Sequence, residues 1–280
     1  MLTWGLAAVL VRFSDQSMPP IFFAGAAMLG AGIFLLPVLF AFGLHHDLRK
    51  AEYFSPAAKS IFFIVGGFLL FFIAGQKIPA GDFAILNQSE VLFTFAIFGF
   101  LGLERISRER ILGALLVLCG TALVLAKHFS GNFSPFFALA LLANAIFPIG
   151  NFWQKQVLRI VRPKAHLIFR SFVGGTLLLA ISFFTESWSA DLLSWRNLVL
   201  ILVAAALPFG ISKILFLEAL KRLEVSKVFA IGSAQPVFTI MFAVLLLHEN
   251  VDRWQICGIL FAIGGILILT RKEQEKFGAL

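Results

Sequence analysis

Apolar residues run through this chain in long blocks, separated by short polar or proline-bearing stops. The stops include Pro19-Pro20, Pro56, Pro79-Ala80-Gly81, Ser134-Pro135 and Pro163. Between them the pattern predicts spans at about 2–18, 20–42, 60–77, 82–103, 110–126, 135–157, 165–184, 195–220, 226–247 and 253–270. A bilayer crossing needs roughly 20 apolar residues, so about ten crossings fit the chain and no large extramembrane domain fits beside them. The first span is the weakest: it starts almost at Met1 and carries Arg12 and Asp15, as a short or tilted helix would.

The pattern also repeats. With an ungapped offset of 145, residues 74–124 fall on 219–269: Phe93-Thr94 on Phe238-Thr239, Glu104 on Glu249, Arg108 on Arg253, Ile111 on Ile256, Gly113 on Gly258 and Gly120 on Gly265. The chain divides into a first repeat at 1–126, a linker at 127–134, a second repeat at 135–271 and a tail at 272–280. Five spans per repeat is an odd number, so the second copy must sit upside down relative to the first. Inverted duplication of apolar helices is a mark of small-solute transporters.

Composition agrees with a membrane. Of the 280 residues, 60% are hydrophobic and 14% charged, against about 45–50% and 25% in soluble domains. No basic start and small-residue cleavage site precede the first apolar run, so a cleavable signal peptide is not expected. With the N-terminus inside, sixteen Lys and Arg fall in inner loops and the tail, against five (Arg12, Lys77, Lys127, Arg196 and Arg253) outside. Both termini are therefore expected in the cytoplasm. The net charge of +8 then reflects topology and contact with anionic lipid, not a nucleic-acid surface. Trp188, Trp195 and Trp254 fall at outer span ends, where an aromatic belt sits.

The loops carry the inversion too. Inner Glu104-Arg105-Ile106-Ser107-Arg108-Glu109-Arg110 has as its outer twin Glu249-Asn250-Val251-Asp252-Arg253-Trp254-Gln255, which lacks two of the three arginines. Outer Gln76 to Asp82 corresponds to inner Lys221 to Lys227, which has gained lysines. Glu104–Arg108 and Glu249–Arg253 have the spacing of helical ion pairs if the helices continue through the turn, and these four are read as structural. Ser107 and Asp252 stand at N-cap positions, with Gln255 completing a capping box.

The run from Gln76 to Asp82, then Ser89-Glu90-Val91-Leu92-Phe93-Thr94 and Leu101-Gly102-Leu103-Glu104-Arg105-Ile106, resembles the EamA-type branch of the drug/metabolite transporter superfamily. So does Ala219-Leu220-Lys221-Arg222 followed by Gln235-Pro236-Val237-Phe238-Thr239 and Leu247-His248-Glu249. The resemblance implies an all-α polytopic protein of ten helices in two inverted five-helix repeats, both termini cytoplasmic, exporting or exchanging small metabolites such as amino acids. The chain departs from the family in two respects. The Glu-Pro that the family often carries in the fourth helix of each repeat is Glu90-Val91 in the first copy and Gln235-Pro236 in the second, and the arginine typical of the helix opening each repeat's second hairpin is present as Arg170 but absent near Gly25.

Ionisable residues inside spans are costly and are functional candidates by default. Glu90 shares a helix face with Asn87 and Thr94, and its twin face carries Gly232, Gln235 and Thr239. Lys213 follows Pro208 and Gly210, and an ion pair with Glu90 would let both lie in a low dielectric. Asn144, Asn151 and Gln154 lie on one side of the sixth span, where Pro148 invites local unwinding or a kink. The expected solute site is Asn87, Glu90, Thr94, Asn144, Asn151, Lys213, Gln235 and Thr239, with Glu90 the candidate proton carrier. Glu218 is expected at the interface, and the pairs Gly66-Gly67, Gly174-Gly175 and Gly264-Gly265 at close crossings.

The remaining chemistry is plain. Cys119 and Cys257 read as small buried hydrophobes, all five histidines as interfacial, and the thirty-four phenylalanines as mostly lipid-facing. No metal-ligand spacing, cofactor motif, nucleotide-binding loop or catalytic motif is present. The expected protein is a monomeric multi-pass inner-membrane transporter whose partners are a small solute and lipids. A lipid-headgroup flippase or a non-transporting binding protein on the same scaffold is the alternative.

Overall fold

A computed structural model describes residues 2–15, 17–101, 108–129, 134–223, 228, 232 and 235–271. All regular structure among these is helical. In chain order the helices are α1 (Leu2–Ser14), α2 (Pro20–Ala41), α3 (Ala51–Lys77), α4 (Ala80–Leu86), α5 (Ser89–Phe100) and α6 (Arg108–Phe129). After them come α7 (Pro135–Val157), α8 (Pro163–Thr185), α9 (Trp195–Ala204), α10 (Ser212–Arg222), α11 (Gln235–Leu247) and α12 (Arg253–Arg271). Pro20–Ala41, Ala51–Lys77, Ala80–Phe100, Pro135–Val157, Pro163–Thr185 and Trp195–Arg222 are long and apolar enough to cross a membrane. The protein is polytopic, with shorter apolar helices at Leu2–Ser14, Ile111–Ala126, Gln235–Leu247 and Arg253–Ile268.

Several spans differ from expectation. The third helix starts at Ala51 and takes in Pro56 in its second turn. The fourth span is two helices, α4 and α5, and the eighth is interrupted by a π-helical segment at Ala205–Ile211. By contrast α7 runs unbroken through Pro148. All of the ninth span before Gln235 except residues 228 and 232, the residues Glu104 and Ser107, and the 272–280 tail lie outside the described residues.

Helices pair lengthwise: α3 along α7, α2 along α8, α6 along α12 and α1 along α11. Glycine sets the closeness of two of these crossings. A Cβ on Gly25 would lie 2.8 Å from the Leu179 nitrogen, and one on Gly175 would lie 2.5 Å from the Leu29 nitrogen. On α6 and α12 a Cβ on Gly120 would meet the Gly258 carbonyl oxygen at 2.6 Å, and one on Gly265 the Gly113 carbonyl oxygen at 2.5 Å. Each contact has a reciprocal partner on the facing helix. Without a hydrophobic driving force between helices in lipid, such backbone-to-backbone packing is a main source of association.

The paired glycines do not all serve this purpose. Gly66 and Gly264 have open space beside them, whereas Gly67 packs on the Phe147 ring and Gly174 on Met28 and Val65. Adjacent helical residues point about 100° apart, so usually only one faces the neighbour. The phenylalanines also divide. Phe34, Phe40, Phe62 and Phe184 are exposed, but Phe23, Phe68, Phe71, Phe72, Phe83, Phe147 and Phe209 form a buried core of mutual ring contacts. Cys119 and Cys257 are exposed, not buried, because they lie on outward faces of the α6–α12 pair.

The two ends of the bundle differ in chemistry. At one end Arg162 binds the Asp47 carboxylate at 2.7 Å and the carbonyls of Phe42 and Gly43, while Lys50 reaches the Ile160 carbonyl at 2.7 Å. Burial pushes the Asp47 carboxyl up, but the hydrogen bonds and charge of Arg162 outweigh this and hold it below the usual range. Glu218 pairs with Arg222 there at 3.1 Å. At the other end, carboxylates cap helices whose N-cap residue is a proline and which lack a capping side chain of their own. Glu186 accepts from the N–H groups of Ile21 (2.9 Å) and Phe22 (2.8 Å) at the start of α2. Glu249 accepts from Ala80 (3.0 Å) and Gly81 (3.4 Å) at the start of α4. Both satisfy orphan donors and oppose the positive end of the helix dipole.

The helix does not continue through the Glu249 turn as the Glu249–Arg253 spacing required: α11 stops at Leu247 and His248 takes a left-handed φ of 54°. Arg253 instead stacks on Trp254. Asp252 and Gln255 form a reciprocal capping box at 2.9 and 3.3 Å, and the Gln255 amide nitrogen also donates to buried Asp82 at 2.8 Å.

The crossings make a discriminating test. Gly265→Ala forces backbone apart and should cost about 1–3 kcal/mol. Gly264→Ala, with nothing in its way, should be neutral or stabilise by about 0.5–1 kcal/mol through helix propensity. Thermal unfolding of the two detergent-purified variants checks this, and equal melting temperatures would contradict the packing account.

Candidate functional site

A cavity of about 290 Å³ opens where α5, α7, α8 and α10 converge, at the lower end of the range for small-ligand sites. It exists because two elements are broken beside it. Between α4 and α5, the Glu90 N–H bonds to the Asn87 carbonyl (3.2 Å), three residues back, in place of Leu86 four back. That frees the Leu86 carbonyl, and Asn144 on α7 fills it: its Nδ2 donates to Leu86 O at 3.0 Å and to Ser89 Oγ at 3.1 Å. Across the cavity, Pro208 has no N–H, and the helix widens to π turns through Ile211. Gly210 permits the widening, since a Cβ there would lie 2.7 Å from the Ala205 carbonyl oxygen.

Each break presents a charge. Glu90 follows the first, and its Oε1 accepts from Asn151 Nδ2 at 3.0 Å. The polar line continues: Gln154 Nε2 donates to Asn151 Oδ1 at 2.8 Å, and Arg170 Nη1 to Gln154 Oε1 at 2.8 Å. Lys213 follows the second break. Its ammonium sits 3.6 Å from the centroid of the Trp4 ring, 5.1 Å from Phe216 and 5.5 Å from Phe68, a set of cation–π contacts each worth roughly 2 kcal/mol when desolvated. The expected direct Glu90–Lys213 ion pair does not form. The carboxylate is held by an amide and the ammonium by aromatic faces, because α10 delivers Lys213 toward α1.

Of the residues expected at the site, Asn87, Glu90, Asn144, Asn151, Lys213 and Gln235 all line this cavity. Thr94 and Thr239 do not. Thr94 Oγ1 bonds back to the Glu90 carbonyl at 2.7 Å, and Thr239 Oγ1 bonds the Gly5 carbonyl at 2.9 Å, where α1 and α11 cross. Asn87 has both side-chain polar atoms buried with no protein partner.

Sequence reasoning left out Arg170, Trp4 and Gln154 as site members. Arg170 was detectable as an ionisable residue inside an apolar span, and it is only 2% exposed. Trp4 carried no signal, since an indole in a first helix is ordinary. His166 was expected at an interface but is fully buried beside Arg170's helix face, hydrogen-bonded through Nδ1 to the Tyr53 hydroxyl at 3.1 Å. Among the described residues no cluster of His, Cys, Asp or Glu has the makings of a metal site.

Asn144→Ala should leave the buried Leu86 carbonyl without its side-chain partner and cost about 1–3 kcal/mol. Thermal unfolding of the purified variant measures the loss; unchanged stability would mean that Asn144 does not hold the break.

Comparison with known proteins places this geometry in context. The EamA-like transporter family model matches residues 1–126 and 135–271. The chain is 26% identical over 288 residues to the uncharacterized transporter YvbV of Bacillus subtilis (strain 168), covering 100% of this chain and 92% of that one. It is 25% identical over 283 residues to a probable amino-acid metabolite efflux pump of Salmonella typhimurium, covering 96% and 91%. A solved crystal structure superimposes with a TM-score of 0.77 at 18% identity, covering 98% of this chain and 95% of the other, which is a likeness of fold.

Proposed function

The chain belongs to the EamA-like transporter family, and from that premise we propose that it is a secondary transporter moving a small metabolite, as an exporter or exchanger, by alternating access. The observation that carries the reading is the buried polar cavity, walled by residues from both halves of the chain and holding Glu90 and Lys213. Asn87, Glu90, Asn144, Asn151, Lys213 and Gln235 hold the solute, and Thr94 and Thr239 support them from behind. The solute class is an amino acid or a similar amphipathic metabolite, which accords with the efflux pumps among the relatives.

The architecture proposed for it is ten spans in two inverted five-helix repeats, 1–126 and 135–271, one rocking against the other. The reciprocal contacts support this: exchanging positions 145 apart turns the Gly120–Gly258 contact into Gly265–Gly113. The basic end carrying Lys50, Lys155, Arg162 and Arg222 faces the cytoplasm of an inner membrane, with both termini on that side. Lipids are its surroundings, nucleic acid has no part, and the protein acts as a monomer without a cofactor or an enzymatic step. A headgroup flippase would need polar residues along a lateral opening. Here Asn144, Asn151, Gln154 and Arg170 are all under 5% exposed.

Glu90 is the proton carrier in this reading. Among the described residues the charged or titratable groups around it are Lys213 on α10 and Arg170 on α8, with the Tyr53–His166 pair behind Arg170. Counterflow in proteoliposomes with a radiolabelled metabolite panel tests the proposal. Wild type should show saturable exchange that an imposed pH gradient drives. Glu90→Gln should keep exchange without a gradient and lose the drive. Exchange indifferent to the gradient in wild type would remove coupling through Glu90, and no exchange for any solute would remove the transporter reading.

A further inference from the structure

Among the described residues three charged side chains line the cavity: Glu90, Arg170 and Lys213. Glu90 and Arg170 terminate one ladder, Glu90–Asn151–Gln154–Arg170, whose two amides carry the interaction between carboxylate and guanidinium. Lys213 stands outside that ladder. Among the described residues the groups it touches are the Trp4, Phe68 and Phe216 rings, which attract a cation but bring no formal charge; Glu90 and Arg170 act on it only through space, with no ion pair formed. Tyr53 and His166, packed behind Arg170, supply no carboxylate. Among the described residues the site therefore carries two cations against one anion.

A surplus charge in a low-dielectric site is costly until it is matched. The unpaired polar groups point the same way. Arg170 Nε is buried without an acceptor, and the Asn87 amide is buried with neither donor nor acceptor satisfied. Apart from the polar groups, the wall is apolar and aromatic, with Ile64, Phe71 and Phe147 beside the rings that hold Lys213.

Resting on the reading of this cavity as the solute site, we propose that it selects a small organic monoanion. The solute's carboxylate is met by the Lys213 ammonium and the Asn87 amide, with the charge of Arg170 behind, and its apolar body lies against Phe71 and Phe147. An acidic amino acid or an aryl carboxylic acid meets this requirement. A neutral zwitterion leaves the surplus unmatched, and an amine adds to it.

Three probes with one body and three charges test the choice: 3-phenylpropionate, L-phenylalanine and 2-phenylethylamine. Their binding to the purified full chain in nanodiscs is measured by calorimetry at neutral pH. The anion should bind at least about tenfold more tightly than the zwitterion, and the amine most weakly. Lys213→Met should erase the anion's advantage, and Lys213→Arg should keep it. The wild-type ranking and the Arg variant stand alone if the Met variant fails to fold. A zwitterion that binds as tightly as the anion, or no binding by any probe, overturns the proposal. Proteoliposome exchange with the same probes separates the two readings. Selective anion binding without exchange removes transport and keeps charge selection; exchange without anion preference does the reverse.

Discussion

Inside a bilayer a backbone N–H or C=O that leaves its helix has no water to turn to, and the cavity of this protein depends on how that demand is met. Two helices are interrupted beside it, and each interruption is satisfied by protein. Asn144 takes the Leu86 carbonyl that the α4–α5 break releases. On the other side a π-helical stretch around Pro208 retains bonding at wider spacing, with the Ser212 N–H reaching Leu207 O, five residues back. If either were unbroken, the charge that follows it would point elsewhere. Glu90 and Lys213 share a cavity because both breaks are tolerated.

The rest of the bundle makes the breaks affordable by fixing what surrounds them. Glycine crossings bring α2 against α8 and α6 against α12 to backbone contact, and α8 carries Arg170 into the cavity. At the end away from the basic loops, Glu186 and Glu249 reach across the fold to cap α2 and α4. A capping carboxylate from a remote element ties two parts of the chain with charge-assisted hydrogen bonds. It does so at the helix starts where proline leaves no local cap.

Apolar block length and loop charge are local properties, and they made most of the helices and their order legible from the residues alone. Asn87, Glu90, Asn144, Asn151, Lys213 and Gln235 were legible for a related reason: polar groups are rare in such blocks, and each must face protein or a cavity. What the pattern hid was partner choice. The Glu249–Arg253 spacing suits an ion pair, but it presumes a helix that stops at Leu247; once it stops, the carboxylate is free to cap α4. Pro148 and Pro208 look alike in sequence, yet only Pro208, with Gly210 beside the Ala205 carbonyl, widens its helix. Thr94 and Thr239 shared the right face by periodicity, but threonine satisfies itself on its own helix or on a close neighbour.

Sequence by itself determined that the chain is a bundle of apolar helices, that its pattern is duplicated, and which polar residues must find shelter inside. Those follow from the cost of exposing charge or backbone to lipid, which acts on every residue where it stands. Only the tertiary structure decided that Lys213 rests on Trp4 and not on Glu90, that Arg170 closes the amide ladder, and that Cys119 and Cys257 face outward while His166 is buried. These depend on which face of one helix meets which face of another. That is set by the shapes of glycines and rings brought together from opposite halves of the chain, and no window of sequence contains both sides.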